Sequence, residues 1–374
     1  MTTMTAFGNI DVSENIRTAL VGDMDTLEIF YEYNAEESVE IASVTKIMTY
    51  LVAREAIEAG RVNFDDLVTV STYAASIQGS SFNLRTGEEI PLRVLMNSIM
   101  IVSGNDAAVA IAEHVSGSEE AFLAEMHQKA EELGLVTAHF INPSGMPSDT
   151  QESDQNKMSA KDLFYLSAYL LKRYPDIAEV TIQREVTLPE RNFTREATNP
   201  LLDKMPGVDG LKTGYTHKAG LCLVSTVPYR DDQDSLKDRR VIAVLMGAHS
   251  HEDRINKSKT LLEYGLYNYF IEKVISENES LGTIKVGNAL EVDVPVVASE
   301  DYYKLVRTGT TFRTEMKFDE DIKAPMDKGT VIGNLNIYLN NEKVHTIAVV
   351  TEVKIERAGF FTRIFRFLAN LLGI

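Results

Sequence analysis

Residues 41–50 read IASVTKIMTY, which sets Ser43 and Lys46 three positions apart at the start of an apolar-periodic run. A polar approach, residues 34–40, precedes it, and Ile47, Tyr50, Leu51 and Arg54 continue at helical spacing. Positions i and i+3 share a helix face, so the Ser43 hydroxyl and the Lys46 amine can meet. A serine hydroxyl is a weak nucleophile until a neighbouring base takes its proton. A lysine can be that base once burial or another cation keeps its amine neutral. By itself Ser-x-x-Lys carries little, because it also describes an N-cap serine with a solvated lysine one turn later. Its meaning depends on what accompanies it.

The 374 residues suffice for two domains with a short appendage, and 44% apolar with 25% charged residues is ordinary for a globular protein. A formal net charge of −18 argues against a nucleic-acid partner, since no basic surface dominates. The single cysteine, Cys222, permits no internal disulfide and reads as a small buried residue within GLCLVSTV. No zinc-spaced cluster or phosphate-cradling glycine loop is present, so neither metal nor cofactor is expected. His249 and His251 read as surface residues on a polar turn. There is no run of 18 apolar residues that would span a membrane as a helix. The first 15 residues lack the charged-then-apolar pattern of a secretory signal.

Residues 18–23 and 27–33 predict a hairpin, and the helix after Ser43 is expected to stop near Gly60. Helices are predicted over 92–102, over 107–115, after the capping Ser118, and from Ser159 to Pro175. Asn142-Pro143-Ser144-Gly145-Met146-Pro147 can only be loop. Strands are predicted over 179–188, 208–216, 221–227 and 241–247, then a helix over 251–270. A helical middle bracketed by β elements implies one antiparallel sheet with helices packed on it. Alternating runs over 283–355 predict a separate small all-β domain. The expected divisions are 1–275, 276–356 and a terminal helix, 357–374.

Three short motifs fall in the first domain: Ser43-x-x-Lys46 opening a helix, Ser103-Gly104-Asn105 in an interhelical turn, and Lys212-Thr213-Gly214 on a strand. Together they offer a nucleophile, a hydroxyl relay, an amide clamp, two amines and a strand edge for a peptide-like substrate. In this order and context the chain resembles the low-molecular-weight penicillin-binding proteins, specifically the serine D-alanyl-D-alanine carboxypeptidases. The resemblance extends to Gly79-Ser80-Ser81, SGNDAAVAIAEHVSGSEEAF, residues 142–145, VDGLKTGYTHKAG and, in the β-rich tail, residues 324–329.

That resemblance implies an α+β catalytic domain followed by the all-β domain, and removal of the terminal D-Ala from peptidoglycan stem peptides. Ser43 would form the acyl-enzyme, which β-lactam antibiotics would also form, and Lys46 would be the general base. Ser103 and Lys212 would pass the proton to the leaving amine, Asn105 would hold the substrate amide, and Thr213 would contact the terminal carboxylate. Gly214 completes the strand motif, and the backbone N–H groups of Ser43 and Tyr215 would form the oxyanion hole. Lys212 would also help to keep Lys46 neutral. Two positions depart from many relatives: Tyr215 stands where they carry histidine, and His249 where some carry an arginine.

The nearest alternative is a class A β-lactamase, with residues 152–156, ESDQN, in place of its glutamate motif; these read instead as a polar loop. A non-catalytic wall-binding scaffold is the other. The terminal stretch RAGFFTRIFRFLANLLGI carries three arginines and no acid, with its Phe, Ile and Leu residues on one broad helical face. It reads as an interfacial membrane anchor, against the alternative of a helix docked on its own domain or a partner subunit. The resemblance then implies a location outside the cytoplasmic membrane and a removed signal peptide.

Overall fold

In the computed structural model, which describes residues 8–148 and 154–372, the early β-prone runs form the hairpin β1 (Thr18–Asp23) and β2 (Ile29–Tyr33). After β3 (Val39–Glu40) comes a single 3₁₀ turn, Ala42–Thr45, and then α1 (Lys46–Glu58). β4 (Leu67–Thr69) and β5 (Glu89–Pro91) pair around the short α2 (Thr72–Ser76). The helical middle is α3 (Leu92–Ile101), α4 (Asn105–Ser116) and α5 (Glu119–Glu132), and Ser118 caps the last through the Ala121 N–H. β6 (Lys157–Met158) pairs with β3 and leads into α6 (Ala160–Arg173) and α7 (Ile177–Thr181). A small hairpin, β7 (Glu185–Leu188) and β8 (Phe193–Glu196), precedes the long strands β9 (Gly210–Thr216), β10 (Gly220–Tyr229) and β11 (Arg239–Ala248). Helix α8 (His251–Asn268) closes this part of the chain.

The main sheet is wholly antiparallel in the order β2–β1–β11–β10–β9, so the two ends of the unit meet as β1 against β11. Both its faces are covered. Ile242, Val244 and Met246 join a core with α1, α3, α4 and α6, whereas a β-carbon added to Gly265 of α8 would stand 2.7 Å from Val241 Cγ1 on the other face. Double coverage is why β11 reads as an unbroken apolar run, VIAVLM, rather than an alternating one.

Of the expected strand over 179–188, only Glu185–Leu188 is strand. Residues 177–181 are helical because Ile177 and Thr181, one turn apart, are both buried, and the Thr181 hydroxyl lies 2.6 Å from the Asp209 carbonyl oxygen. A β-branched-rich run can serve either element, and the tertiary contact decided it.

The chain divides into two units, Met1–Asn268 and Tyr269–Ile374, so the division falls seven residues before the expected 275. The reason is β12 (Tyr269–Ile275), which pairs within the second unit. That unit contains β13 (Ser280–Lys285), β14 (Asp293–Ala298), β15 (Tyr302–Arg307), β16 (Phe312–Phe318), β17 (Val331–Leu339) and β18 (Glu342–Thr351). β12 pairs with β15, and the others form a five-stranded sheet, β13–β14–β18–β17–β16, over a core including Val296, Ile337, Ile347 and Val349. Helix α9 (Phe360–Leu372) follows. No helix among the described residues is long and apolar enough to cross a membrane.

Candidate active site

Ser43 sits in the 3₁₀ turn, and α1 begins at Lys46 rather than at the serine. The difference favours the pair, because a 3₁₀ turn has three residues per turn and stacks i directly beneath i+3. Lys46 Nζ lies 2.9 Å from Ser43 Oγ, 2.7 Å from Asn105 Oδ1 and 2.5 Å from the Ser144 carbonyl oxygen. The lysine is fully buried. Burial, reinforced by the charge of Lys212 and only partly opposed by Asp106, holds its amine well below the ordinary lysine range. A neutral amine has two N–H donors and one lone pair. With two carbonyl-type acceptors in reach, its lone pair is left for the Ser43 hydroxyl proton.

Asn105 is the first residue of α4; its backbone N–H donates to Ser80 O at 2.7 Å and its side-chain Nδ2 to Gln78 O at 2.9 Å. Its amide therefore fixes Lys46 and still retains one N–H and one lone pair for a ligand. Ser103 is buried and lines a cavity of about 530 Å³ with Ser43, Ser80, Thr213, Gly214 and Tyr215. Among the described residues no hydrogen bond joins Ser103 to either lysine.

Lys212 is buried on β9, with Nζ 2.9 Å from the Thr213 carbonyl oxygen. Burial and the nearby Arg254 charge push it down to about 7. Thr213 shares a 2.6 Å hydrogen bond with Thr198. Gly214 is required by close approach, since a β-carbon there would stand 2.9 Å from Ile41 O. This lets β9, the outermost strand of its sheet, lie against the Ser43 turn with one backbone edge open. Tyr215 is exposed at the rim, 3.3 Å from His217 Nδ1 through its hydroxyl. Cys222 is buried and pairs with Gly214 across β9 and β10.

Sequence reasoning missed three contributors. Residues 142–147, expected as loop with no contact to the lysine, present the Ser144 carbonyl to Lys46. Asn142 Oδ1 accepts from Gly145 N at 2.7 Å, and Asn156 ties the loop to the serine turn, donating to Thr45 Oγ1 at 3.0 Å and to Asn142 O at 2.8 Å. Asn156 is wholly buried although it belongs to the run read as a polar loop, of which Glu152 lies outside the described residues. The third is Arg254, which lines the cavity beside the exposed His249 and His251. The repeated Asn around Pro-Ser-Gly was a signal for a side-chain-braced turn; the arginine left none.

Residues 9–250 match the family described as D-alanyl-D-alanine carboxypeptidase, and residues 270–357 match the C-terminal domain of penicillin-binding protein 5. The chain belongs to the D-alanyl-D-alanine carboxypeptidase family. It is 33% identical over 97% of its length to the carboxypeptidase DacF of Bacillus subtilis (strain 168), covering 90% of that protein. Among solved family structures, DacD of Francisella tularensis superposes with a TM-score of 0.70 at 26% identity, covering 96% of this chain and 98% of the other. Penicillin-binding protein D2 of Listeria monocytogenes, in its ampicillin-bound form, gives 0.60 at 28% identity, covering 69% of this chain and all of the other.

Proposed function

We propose that the chain is a serine-type D-Ala-D-Ala carboxypeptidase acting on peptidoglycan stem pentapeptides. The 2.9 Å contact between Ser43 Oγ and a fully buried, depressed-pKa Lys46 carries this reading. Ser43 Oγ attacks the carbonyl carbon of the penultimate D-Ala while its proton passes to Lys46 Nζ. Backbone N–H groups of Ser43 and Tyr215 stabilise the resulting oxyanion, each worth on the order of 3 kcal/mol. Collapse breaks the C–N bond. The proton reaches the departing D-Ala amine through Ser103 and Lys212, leaving an ester on Ser43 that water hydrolyses. A β-lactam follows the same first step, but its leaving amine stays tethered in the opened ring, which prolongs the acyl-enzyme.

Intact-protein mass spectrometry after incubation with penicillin G tests this, with Ser43→Ala as control. The expected result is a stable adduct that requires Ser43. Fast drug turnover without an adduct would favour a β-lactamase, and neither adduct nor turnover would favour a scaffold.

We also propose that α9 holds the protein at the outer face of the cytoplasmic membrane, where this substrate lies. Phe360, Phe361, Ile364, Phe365 and Leu368 are exposed, while Arg366 donates to the carbonyl oxygens of Ala289 (2.7 Å) and Leu290 (2.6 Å) in the β-rich unit. An apolar face turned outward with a cation holding the opposite side supports interfacial binding. Deleting residues 360–374 is expected to abolish sedimentation with anionic vesicles and preserve acylation; unchanged sedimentation would refute the anchor.

A further inference from the structure

Asp106 is buried, only 1% exposed, and no step of the mechanism above uses it. It is the second residue of α4, directly after Asn105. Its carboxylate accepts four hydrogen bonds. Oδ1 takes Phe82 N at 2.8 Å and Ala107 N at 2.9 Å, while Oδ2 takes Ser81 Oγ at 2.6 Å and Leu84 N at 3.0 Å. All four donors are neutral, and three belong to residues 81–84. A buried charge is costly unless it is hydrogen-bonded, so a carboxylate with four donors is committed to its place. The segment it holds continues into a wall of the site. Ser80 lines the catalytic cavity, and its carbonyl oxygen accepts Asn105 N at 2.7 Å. The Gln78 carbonyl oxygen accepts Asn105 Nδ2 at 2.9 Å, and the same amide presents Oδ1 to Lys46 Nζ at 2.7 Å. The fit is close: a β-carbon on Gly79 would stand 2.9 Å from Asn105 Nδ2, and one on Gly104 would stand 3.2 Å from Asp106 Oδ1. Two consecutive residues of α4 therefore grip one loop, Asn105 at 78–80 and Asp106 at 81–84.

We propose that Asp106 is a positioning residue for acylation: its carboxylate pins residues 81–84 to the start of α4, which keeps Asn105 on Lys46 and Ser80 on the cavity wall. The proposal rests on the carboxypeptidase reading above and adds a residue to its machinery. Asp106 does not itself line the cavity; it acts through Asn105, Ser80 and its charge. Of the charged side chains acting on Lys46, Lys212 from β9 disfavours protonation of the amine and Asp106 from α4 favours it. Replacing the carboxylate by an amide keeps its shape, sets an N–H₂ group against the Leu84 N–H, and removes the charge.

The test follows penicillin G acylation against pH in wild type, Asp106→Asn, Ser81→Ala and Ser81→Thr. Asp106→Asn should acylate roughly 10- to 100-fold more slowly, the scale of loss when a catalytic group is misplaced. The limb of its profile that reports Lys46 protonation should also move to lower pH, because the anion favouring the protonated amine is gone. Ser81→Ala keeps the charge and loses one bond, so it should slow acylation several-fold with the limb in place. Ser81→Thr restores the hydroxyl and should recover the wild-type rate. A wild-type rate in Asp106→Asn overturns the proposal, as does a slower variant whose limb has not moved, since that reports only a loosened fold. If Asp106→Asn does not fold, the serine pair decides. A Ser81→Ala rate equal to wild type, or a loss that Ser81→Thr does not recover, then overturns the idea. Wild type that penicillin G fails to acylate overturns the carboxypeptidase reading as well, whereas failure of the variants to behave as described overturns this inference alone.

Discussion

Gly145 lies so close to the serine turn that a β-carbon on it would stand 2.0 Å from the Ala42 carbonyl oxygen. Its φ of +82° is also one that side chains rarely adopt. The contact clamps residues 142–146 against Ser43 and sets the height of the Ser144 carbonyl beneath Lys46. Gly145→Ala is therefore expected to cost about 1–3 kcal/mol in stability and to slow penicillin acylation well beyond that loss of fold. Thermal melts and acylation rates measured together check it; a variant with wild-type acylation would show that the clamp is unimportant.

Asn156 holds the same loop from behind. Asn156→Ala strands the Ile141 N–H, which donates to Asn156 Oδ1 at 2.7 Å, and the Asn142 carbonyl oxygen. At about 1–3 kcal/mol per stranded buried group, we expect a clear fall in the urea midpoint. A midpoint equal to wild type would mean that water or a shifted loop replaces both bonds.

Lys46 acts in this scheme only as a neutral amine. Lys46→Arg keeps a long basic side chain but makes it permanently charged and unable to accept the serine proton, so acylation should fall by roughly 10²–10⁴-fold, the usual share of a general base. Full acylation of the arginine variant by penicillin would remove lysine from the mechanism.

Lys212, pushed to about 7, changes charge within the physiological range. Below that pH it is a cation that supplies the leaving-group proton and disfavours a second charge on Lys46; above it, both contributions fade. The acylation-limited rate should therefore carry an inflection near pH 7. Lys212→Arg, permanently charged, should lack it. An identical inflection in the variant would assign the titration elsewhere.

Glu40 governs acid stability. Burial alone would raise its pKa, but hydrogen bonds from Lys218 and Arg17 override that and hold it at about 2. The partners lie at 2.9 and 2.7 Å, with Lys157 at 3.8 Å. A depressed carboxylate contributes stability above its unfolded pKa, near 4.5, and loses it as pH falls from there toward 2. Glu40→Gln should destabilise the protein by on the order of 2 kcal/mol at pH 7, after solvent screening, and by little at pH 2. Urea midpoints at both pH values decide; a pH-independent penalty would point to packing instead.

Much of the fold was legible because local chemistry agreed with it. The β1–β2 hairpin, the caps at Ser118 and Ser159, and the long apolar strands follow from turn residues, capping oxygens and hydrophobic period. Residues 177–181 were illegible because Thr181 is committed to helix by Asp209, 28 residues away. The division at 268 was illegible for a similar reason: Tyr269–Ile275 continues an apolar helix pattern but finds its partner in Tyr302–Arg307.

The sequence by itself determined which groups exist and their local order: Ser43 one short turn from Lys46, Asn105 in the turn between two helices, and Lys212, Thr213 and Gly214 in line on a strand. Covalent spacing and backbone propensity suffice for that. Only the tertiary structure decided that Lys46 loses all contact with water, that Ser144 and Asn105 take its two N–H groups, and that Arg254 reaches the same cavity. A pKa depends on desolvation and on charges brought near through space, and those are set by chain segments 59 to 166 residues apart, as Asn105 is from Lys46 and Lys46 from Lys212.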